Sequence, residues 1–509
     1  MSEPEEERTV TKNLKQKIAA GASWMLAFKL VERTLGLVST LILARLLAPA
    51  DFGIVAMALS FIFMAEALTA FGFDVSLIQK PEASVEDYNT AWSCNLLLGL
   101  SIAALMMAFA PFIANFYRTP EVALLVTVLA IGPLISGFEN IGVVTFRRDL
   151  LFKREFVFQL TRKVVGFAIV VPLAIVFRSY WALVAGMIAA KTTGTILSYA
   201  MHPFRPRFTL SRFKELFRFS RWMLLTNVVG FLKERSSDFF IGRLNGAPAL
   251  GLYNISYELA TLPASELSAP INRALLPGFA RMTLREEIAT AFRQTAEVMA
   301  LFTVPAAAGI FAVAPYMVFV VLGPKWVEAV PLVGALAPNG ALLMFQSTIG
   351  AVLIARGKPE RVTQANIAHV AVLLLLLPLL AVKFGPLGAA YAAILAAVST
   401  TPIYLWHLNQ VLGISPMVFV AAISRPAIAS LLMTPVVVWF LPTLTAEQPT
   451  SGATWWLFGA VLLGIVVYVA FLACLWVVSG RPRGAELFLA QRIIEKLGVI
   501  GALLRKAFA

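Results

Sequence analysis

The sequence has little charge, little histidine and almost no cysteine. Of its 509 residues only 14% are Asp, Glu, Lys or Arg, while 59% are hydrophobic, a balance that excludes an ordinary soluble globular protein. The two cysteines, Cys94 and Cys474, lie in apolar runs, which excludes a disulfide framework and a thiolate metal site. The three histidines, His202, His369 and His407, have no carboxylate or cysteine at ligand spacing. We therefore predict a membrane protein with no metal and no cofactor.

Signatures of catalysis are also missing. The nearest approach to a phosphate-binding loop, Ala355–Pro359, lacks the upstream glycine and the Ser or Thr that such a loop requires. No Ser-His-Asp set and no catalytic pair of carboxylates can be recognised. His369 lies in an apolar segment and is either a satisfied polar residue or a proton relay. These absences predict a protein that is not an enzyme, has no catalytic residue and is not an ATP-driven pump.

Long hydrophobic runs are what the sequence has in abundance. We count fourteen apolar segments, most of them near the ~20 residues that cross a ~30 Å hydrocarbon core. They are 18–45, 52–76, 89–115, 121–145, 156–177, 180–200, 220–243, 250–272, 294–322, 330–355, 363–383, 386–408, 417–441 and 454–479. The predicted fold class is therefore all-α, a polytopic membrane protein.

The Lys and Arg residues are distributed unevenly between the two sides of these segments. With the N-terminus placed in the cytoplasm, the tails and loops on that side hold roughly five times as many Lys and Arg residues as the outer loops. In this count the loop after the fourth segment includes Arg162 and Lys163. The bias predicts that both termini are cytoplasmic.

An internal repeat relates the first and seventh segments. At an offset of 198 residues, identical residues recur without a gap: Trp24–Leu26 and Trp222–Leu224, Arg45–Leu46 and Arg243–Leu244, Gly53 and Gly251. Six helices per copy would give both copies the same orientation, with substrate bound between two lobes near the bilayer midplane.

The repeat predicts three regions along the chain. They are an N-lobe at 1–217 with helices 1–6, a C-lobe at 218–414 with helices 7–12, and a region at 415–509 with helices 13–14 and a basic tail. The tail interleaves apolar and basic residues and is either an amphipathic helix on the anionic inner leaflet or a solvated tail without a role.

The first and seventh segments both carry charges near their middle. On a helical wheel, one polar stripe consists of Lys29, Glu32, Arg33, Gly36 and Thr40. The other consists of Thr226, Gly230, Lys233, Glu234, Ser237 and Asp238. A charge at the centre of a spanning helix costs about 2.5–3.5 kcal/mol unless it faces a partner or water. The stripes therefore predict either the lining of a cavity, with Arg33 and Lys233 as its cations, or ion pairs inside the protein.

Pairing has specific candidates. Glu32 is three residues from Lys29, a spacing at which helical side chains meet. Glu234 and Asp238 are four residues apart and would need a cation from elsewhere. In a cavity, these carboxylates would instead limit the net positive charge or bind a coupling ion.

Other charged residues are second candidates. Lys191 and Glu66 lie midway along their segments and either face the cavity or pack against a counter-charge. A basic group after the fourth segment is either an attractant for an anion at the cytoplasmic mouth or a set of ordinary anchors; its members are Arg147, Arg148, Lys153 and Arg154.

Four stretches of the sequence carry a family resemblance as a set. They are Leu43–Ala58 (LARLLAPADFGIVAMA), Phe71–Gln79 (FGFDVSLIQ), Arg147–Phe156 (RRDLLFKREF) and Leu322–Ala337 (LGPKWVEAVPLVGALA). In this order they resemble the Wzx-type polysaccharide flippases of the lipopolysaccharide, colanic acid and teichuronic acid export branch. That superfamily also holds the multidrug and toxin extruders (MATE) and the murein lipid flippase. The resemblance implies a MATE-like fold of two pseudo-symmetric six-helix lobes with two extra C-terminal helices.

The resemblance also implies a function. It is the translocation of an undecaprenyl-diphosphate-linked oligosaccharide across the bacterial inner membrane by alternating access. The resemblance implies a cationic cavity, which Lys29, Arg33 and Lys233 would supply. Together with the candidates from the stripes, the predicted substrate-binding residues are Lys29, Glu32, Arg33, Lys191, Lys233, Glu234 and Asp238. The implied partners are the lipid-linked oligosaccharide, membrane lipids, a proton or sodium gradient and the polysaccharide polymerase machinery, with no nucleic acid.

Two other functions stay open at this point. One is a drug or cation antiporter of the same fold, for which an acidic rather than a basic cavity is expected. The other is a membrane scaffold for polysaccharide assembly that transports nothing, in which the buried charges pair off and leave no cavity.

Reporter fusions test the predicted orientation. A green fluorescent protein fused after Ala509 should fluoresce, and an alkaline phosphatase inserted within 442–454 should be active, because these reporters work on opposite sides of the inner membrane. The reverse pattern would contradict the orientation inferred from the Lys and Arg distribution.

Overall fold

The computed structural model describes residues 29, 31–80, 82–282, 284–443, 450–481 and 484–486. Within these ranges the chain is helical and contains no strand, which confirms the predicted all-α class. The N-terminal stretch 1–28 and the predicted amphipathic tail from 487 lie outside the described residues. The described part separates into two compact units, Met1–Gly251 and Leu252–Ala509.

The first unit contains nine helices and the first arm of a tenth. They are α1 (31–46), α2 (Pro49–Thr69), α3 (Phe73–Gln79), α4 (Val85–Tyr117), α5 (Glu121–Leu129), α6 (Ile131–Gly137), α7 (Val144–Arg148), α8 (Phe152–Phe177), α9 (Trp181–Met201) and α10 (Phe213–Arg281). The predicted lobe boundary between 217 and 218 is placed by the internal repeat. The two units are defined by compactness, so they do not test that boundary. The division into lobes therefore stays a prediction.

The second unit contains the second arm of α10 and five further helices. These are α11 (Arg285–Val321), α12 (Val330–Ala355), α13 (Pro359–Leu412), α14 (Pro416–Phe440) and α15 (Thr450–Val478). One core of the described residues packs α11, α12, α13 and α14 around Phe292, Phe345 and Tyr404. A second core joins α14 and α15 to α11, where the Tyr468 hydroxyl donates to the Leu301 carbonyl at 3.1 Å.

Each of the fourteen predicted segments is mostly helical in the described residues, but 52–76 is interrupted at 70–72 and 121–145 at 138–140. Eight helices there are long and apolar enough to cross a membrane, or nine when the bent pair Glu121–Gly137 and Ile141–Arg148 counts as one span. At 1.5 Å per residue, the 54 residues of α13 are far longer than a ~30 Å core requires. α13 is bent at Gly385, which lies between two predicted segments, so it supplies two arms.

Glycine in an unusual backbone conformation produces both long-helix bends. Gly246 in α10 has φ 82° and Gly385 in α13 has φ 61°, values that side-chain-bearing residues rarely adopt. A proline follows each bend, at Pro248 and Pro386. In each of these two long helices, a glycine followed closely by a proline thus produces a bend where no long loop is present.

The junction between α1 and α2 is fixed by Asp51. Pro49 begins α2, where a missing N–H costs nothing, and the Asp51 carboxylate accepts the Ala48 backbone N–H at 2.8 Å. The other oxygen of Asp51 accepts the Tyr180 N–H at 3.2 Å, just before α9. One side chain therefore caps α2 and ties it to the start of α9.

Two equivalent glycines bring backbones into direct contact in the first unit. A Cβ on Gly53 would overlap the carbonyl of Ala247, and a Cβ on Gly251 would overlap the carbonyl of Pro49. Pro49 and Ala247, like Gly53 and Gly251, are separated by the 198-residue repeat. Each copy of the repeat therefore makes the same contact with the other copy, and we call these four residues the glycine interlock.

Alanine substitutions should show how much the interlock contributes to stability. Gly53→Ala and Gly251→Ala should each lower the free energy of unfolding by about 1–3 kcal/mol, because the new methyl group meets rigid backbone. Gly36→Ala and Gly230→Ala serve as controls: no described atom lies within 4 Å of the added carbon, so helix propensity should raise stability by up to ~1 kcal/mol. Thermal unfolding in detergent measures both pairs, and equal effects at all four positions would contradict the interlock.

Candidate functional site

The α1 stripe meets α8. Lys29 donates to one oxygen of Glu32 at 2.9 Å, the pairing that its spacing predicts, and Lys163 on α8 lies 3.4 Å from the other oxygen. Arg33 is half-buried one residue further along. The Lys163 side chain is 57% exposed and that of Lys29 is 49% exposed, so both ammonium groups stay accessible while they share one carboxylate.

The α10 stripe meets α2. Asp238 is buried, and Arg235 lies 3.4 Å from its carboxylate one turn earlier on the same helix. The Arg235 guanidinium also stacks over the ring of Phe63 on α2, 5.2 Å from its centroid. Asp238 is therefore paired within α10, and the predicted sharing of a cation between Glu234 and Asp238 is replaced by this local pair. Lys233 is half-buried and Glu234 is exposed.

Both stripes also border open space. Gly36 belongs to the α1 stripe and Gly230 to the α10 stripe, and no described atom lies within 4 Å of a Cβ built on either glycine. The same helices are packed elsewhere: Leu43 of α1 and Leu47 just after it lie in a core with α8 and α9, and Phe239 of α10 contacts a ring of α2 at 5.1 Å. Each polar face is therefore packed at its charged pair and open at its glycine.

Lys191 and Glu66 are brought together. The Lys191 ammonium on α9 lies 3.3 Å from the Glu66 carboxylate on α2, and each side chain is about one-third exposed. Gly132 on α6 gives the lysine stem its room, because a Cβ there would lie 3.1 Å from Lys191 Cδ. Both residues line a small pocket with Phe63 and Met187. Of the two alternatives for this pair, packing against a counter-charge is what the structure shows.

Arg162 and Glu139 form a further ion pair, which the sequence analysis did not predict. Arg162 lies 3.6 Å from Glu139, and its guanidinium packs so closely on Gly194 of α9 that a Cβ there would lie 2.6 Å from Arg162 Nε. Arg162 and Lys163 stand in the interior of α8 rather than in a loop. Their position inside a predicted apolar segment was the signal that could have identified them.

The basic group after the fourth segment divides into two pairs. Arg147 lies 3.5 Å from Asp74, and Arg148 donates to the Tyr88 hydroxyl at 2.9 Å, so these two fasten α7 to neighbouring helices. The other two members, Lys153 and Arg154, are exposed at the start of α8.

His202, which follows α9, holds α7 in place. Its Nδ1 accepts the Phe204 backbone N–H at 3.2 Å, so Nε2 carries the hydrogen that faces the Thr145 hydroxyl at 3.2 Å. Burial, together with the nearby Arg154 and Arg205, lowers the pKa of His202. The ring is therefore a neutral bridge between two segments.

The first unit thus places half-buried cations next to single carboxylates along one set of helices. Among the described residues, no group of three or more His, Cys, Asp and Glu side chains could hold a metal ion. Arg and Lys that share a carboxylate can instead bind phosphate oxygens, Arg with two parallel hydrogen bonds and Lys as a point charge. The arrangement suits an anion that carries more than one charge.

Comparison with known proteins agrees with the resemblance seen in the sequence. A family model described as "Polysaccharide biosynthesis protein" matches residues 42–331. "Lipopolysaccharide biosynthesis protein WzxC" of Escherichia coli (strain K12) is 24% identical over 82% of this chain and 86% of its own length. "Succinoglycan biosynthesis transport protein ExoT" of Rhizobium meliloti (strain 1021) is 27% identical over 91% of this chain and 93% of its own.

A solved structure shares the fold. It is "Lipid II flippase MurJ, inward closed conformation", which matches with a TM-score of 0.73 and 15% sequence identity, over 88% of this chain and 98% of that chain. At this identity the likeness shows the fold alone, and it confirms a polytopic helical transporter fold.

Charge reversal tests the pair between α2 and α9. Glu66→Lys and Lys191→Glu should each lower the free energy of unfolding by about 1 kcal/mol, and the double reversal should regain most of the loss because the pair is restored. The exposed pair Lys358 and Glu360, 3.9 Å apart, is the control, whose reversal should change little. Chemical denaturation measures all six variants, and additive losses at Glu66 and Lys191 would contradict the pairing.

Proposed function

Because this chain belongs to the polysaccharide biosynthesis protein family, we propose that it is a flippase for an undecaprenyl-diphosphate-linked oligosaccharide. It moves this lipid from the cytoplasmic to the outer leaflet of the bacterial inner membrane, for export of lipopolysaccharide or exopolysaccharide. The names of two relatives, for lipopolysaccharide biosynthesis and succinoglycan transport, support this substrate class. The fold shared with a lipid II flippase supports translocation.

The charged faces of α1 and α10, each with open space at its glycine, carry the proposal. A lipid-linked diphosphate brings about two negative charges that lose much of their water at membrane depth, and cations held there compensate that loss. On the α1 side, Lys29 and Lys163 lie against the Glu32 carboxylate, and the half-buried Arg33 is the next residue of the chain. This local excess of positive charge favours an anionic substrate over the organic cations that an antiporter of the same fold exports.

The ion pairs have a specific role in the cycle. Before substrate arrives, Glu32 and Asp238 compensate the nearby cations and lower the cost of holding them in the membrane. The diphosphate then binds Arg33 and Lys233, which stand next to these pairs on α1 and α10. Lys191 and Glu234 border the same path, where the sugar needs polar surroundings, and the polyprenyl tail stays in lipid.

The glycine interlock is the closed gate of this path. It joins the start of α2 to the residues that follow the bend of α10, close in sequence to Arg45 and Arg243, which the charge distribution predicts to be on the outer side. Backbones in direct contact leave no room for a sugar. Release to the outer leaflet therefore requires the two copies of the interlock to separate, as alternating access demands.

Translocation in proteoliposomes tests this function. Wild-type protein should move a fluorescent undecaprenyl-diphosphate-linked oligosaccharide to the opposite leaflet, and Arg33→Ala and Lys233→Ala should each slow it by about tenfold or more. That factor follows from a charged hydrogen bond, worth about 1.5–3 kcal/mol. Lys383→Ala is the control, because this exposed lysine lies at the bend of α13 and should leave the rate unchanged.

The test also requires that the variants fold as well as the wild type. All three variants should show wild-type thermal unfolding, so that a slower rate reports lost binding. A folded wild type that moves no lipid under imposed proton and sodium gradients would contradict the flippase and favour an antiporter or a scaffold. Equal translocation rates in wild type and Arg33→Ala would show that the diphosphate does not bind the α1 stripe.

A further inference from the structure

The segment between α9 and α10 contains none of the residues assigned to the substrate. This α9–α10 linker, residues 202–212, is not helical, and it lies between the two copies of the internal repeat. A connection of this kind is usually a mobile surface loop. Here its backbone is instead bound to α4, and the hydrogen bonds show how.

Two polar side chains, one turn apart on α4, accept backbone N–H groups of the linker. Asn89 Oδ1 accepts from Arg207 at 2.7 Å, and Ser93 Oγ accepts from Thr209 at 2.9 Å. Ser93 donates its own hydrogen to the Asn89 carbonyl at 2.8 Å, which leaves its oxygen to accept. Both α4 side chains are buried. The linker is therefore fixed to α4 at two alternate residues of its backbone.

These contacts place the linker at the level of the membrane surface. Asn89 is the first residue of the predicted apolar segment 89–115, and Ser93 lies one turn further along. The predicted segment 180–200 ends directly before the linker. Because the linker is bound where apolar segments begin and end, it runs along the headgroup layer rather than projecting into water. The charge distribution predicts that this is the cytoplasmic side.

The exposed side chains of the linker and of the first turn of α10 are of two kinds. Large apolar side chains form one kind: Phe208 is 60% exposed, Leu210 is 42% exposed and Phe213 is 41% exposed. Basic side chains form the other kind, and the exposed ones are Arg205, Arg207, Arg212 and Lys214. Surfaces that bind anionic lipid combine these two kinds, because rings enter the boundary between headgroups and acyl chains while cations meet the phosphates.

Negative charge on this surface is small and is already compensated. Between residues 202 and 215 the sequence has four basic residues and one acidic residue, Glu215. The Glu215 carboxylate lies 2.9 Å from Arg212 and 3.6 Å from Lys80. The surface is therefore net positive and complementary to an anionic partner.

From these observations we propose that the α9–α10 linker is a binding surface for the anionic phospholipid headgroups of the inner leaflet. Lipid phosphates bind Arg205, Arg207 and Lys214, and Phe208 enters the boundary between headgroups and acyl chains. A lipid surface fits better than a protein partner, because the linker is held at the headgroup layer and both kinds of side chain find a match there. The inference goes beyond the proposed flippase function and does not rest on it.

Fluorescence quenching by lipid in nanodiscs tests the proposal. In a protein with Cys94 and Cys474 replaced, Ser211→Cys would carry a fluorophore, because Ser211 is an exposed residue of the linker. Brominated phosphatidylglycerol, which is anionic, should quench the fluorophore at a several-fold lower mole fraction than brominated phosphatidylcholine, which has no net charge. Added salt should reduce this preference. Equal quenching by the two lipids at low salt would overturn the proposal.

Single substitutions separate the two kinds of contact. Arg207→Gln should raise the mole fraction of phosphatidylglycerol needed for half-maximal quenching about fivefold, the effect of one cation near an anionic surface. Its backbone N–H still binds Asn89, so the linker keeps its position. Phe208→Ala should weaken quenching by both lipids alike, since the ring determines depth rather than charge preference. Lys358→Gln is the control, because this exposed lysine belongs to the second unit and should leave quenching unchanged.

Two other outcomes would also overturn the lipid surface. One is a wild-type preference for phosphatidylglycerol in Arg207→Gln. The other is displacement of brominated phosphatidylglycerol by undecaprenyl-diphosphate-linked oligosaccharide at a lower mole fraction than by unlabelled phosphatidylglycerol, which would assign the linker to the entrance of the substrate. The quenching measurement needs no transport. A wild type that moves no lipid would therefore contradict the flippase function alone, and quenching would still decide the lipid surface.

Discussion

The cost of placing charge inside a hydrocarbon layer governs this structure. Cations at membrane depth, from Lys29 on α1 to Lys191 on α9, lie against a carboxylate on their own or a neighbouring helix. If these charges needed only a partner of opposite sign, a fully packed protein interior would be enough. The glycines Gly36 and Gly230 on the same faces as the charged stripes border open space instead, and the proposed function assigns this space to the substrate.

The internal repeat explains why α1 and α10 carry similar polar stripes. The copies contact each other through the glycine interlock, in which Gly53 and Gly251 each receive a carbonyl from the opposite copy. Bulky side chains at these positions would keep the backbones apart. A contact made of backbone alone can close tightly and still separate, since no side chains interdigitate across it. Alternating access needs a gate with both properties.

Local sequence features predicted much of this arrangement. The bends at Gly246 and Gly385 fall between predicted segments, and the three-residue spacing of Lys29 and Glu32 predicted their pair. Contacts between distant residues could not be obtained in this way. Lys163 reaches Glu32 across more than a hundred residues, and a charge count placed this lysine in a loop although α8 carries it. Periodicity reports one helix at a time, whereas a site is assembled from several.

The most direct test of the central claim asks whether the face of α1 is wet and occupied by the diphosphate. In a protein with Cys94 and Cys474 replaced, Gly36→Cys would be treated with a charged, water-soluble maleimide. We expect rapid labelling that undecaprenyl-diphosphate-linked oligosaccharide slows and neutral polyprenol does not, because Gly36 borders open space between the charged residues. A cysteine that stays unlabelled, or that neutral polyprenol protects equally well, would show a lipid-facing surface and contradict the account.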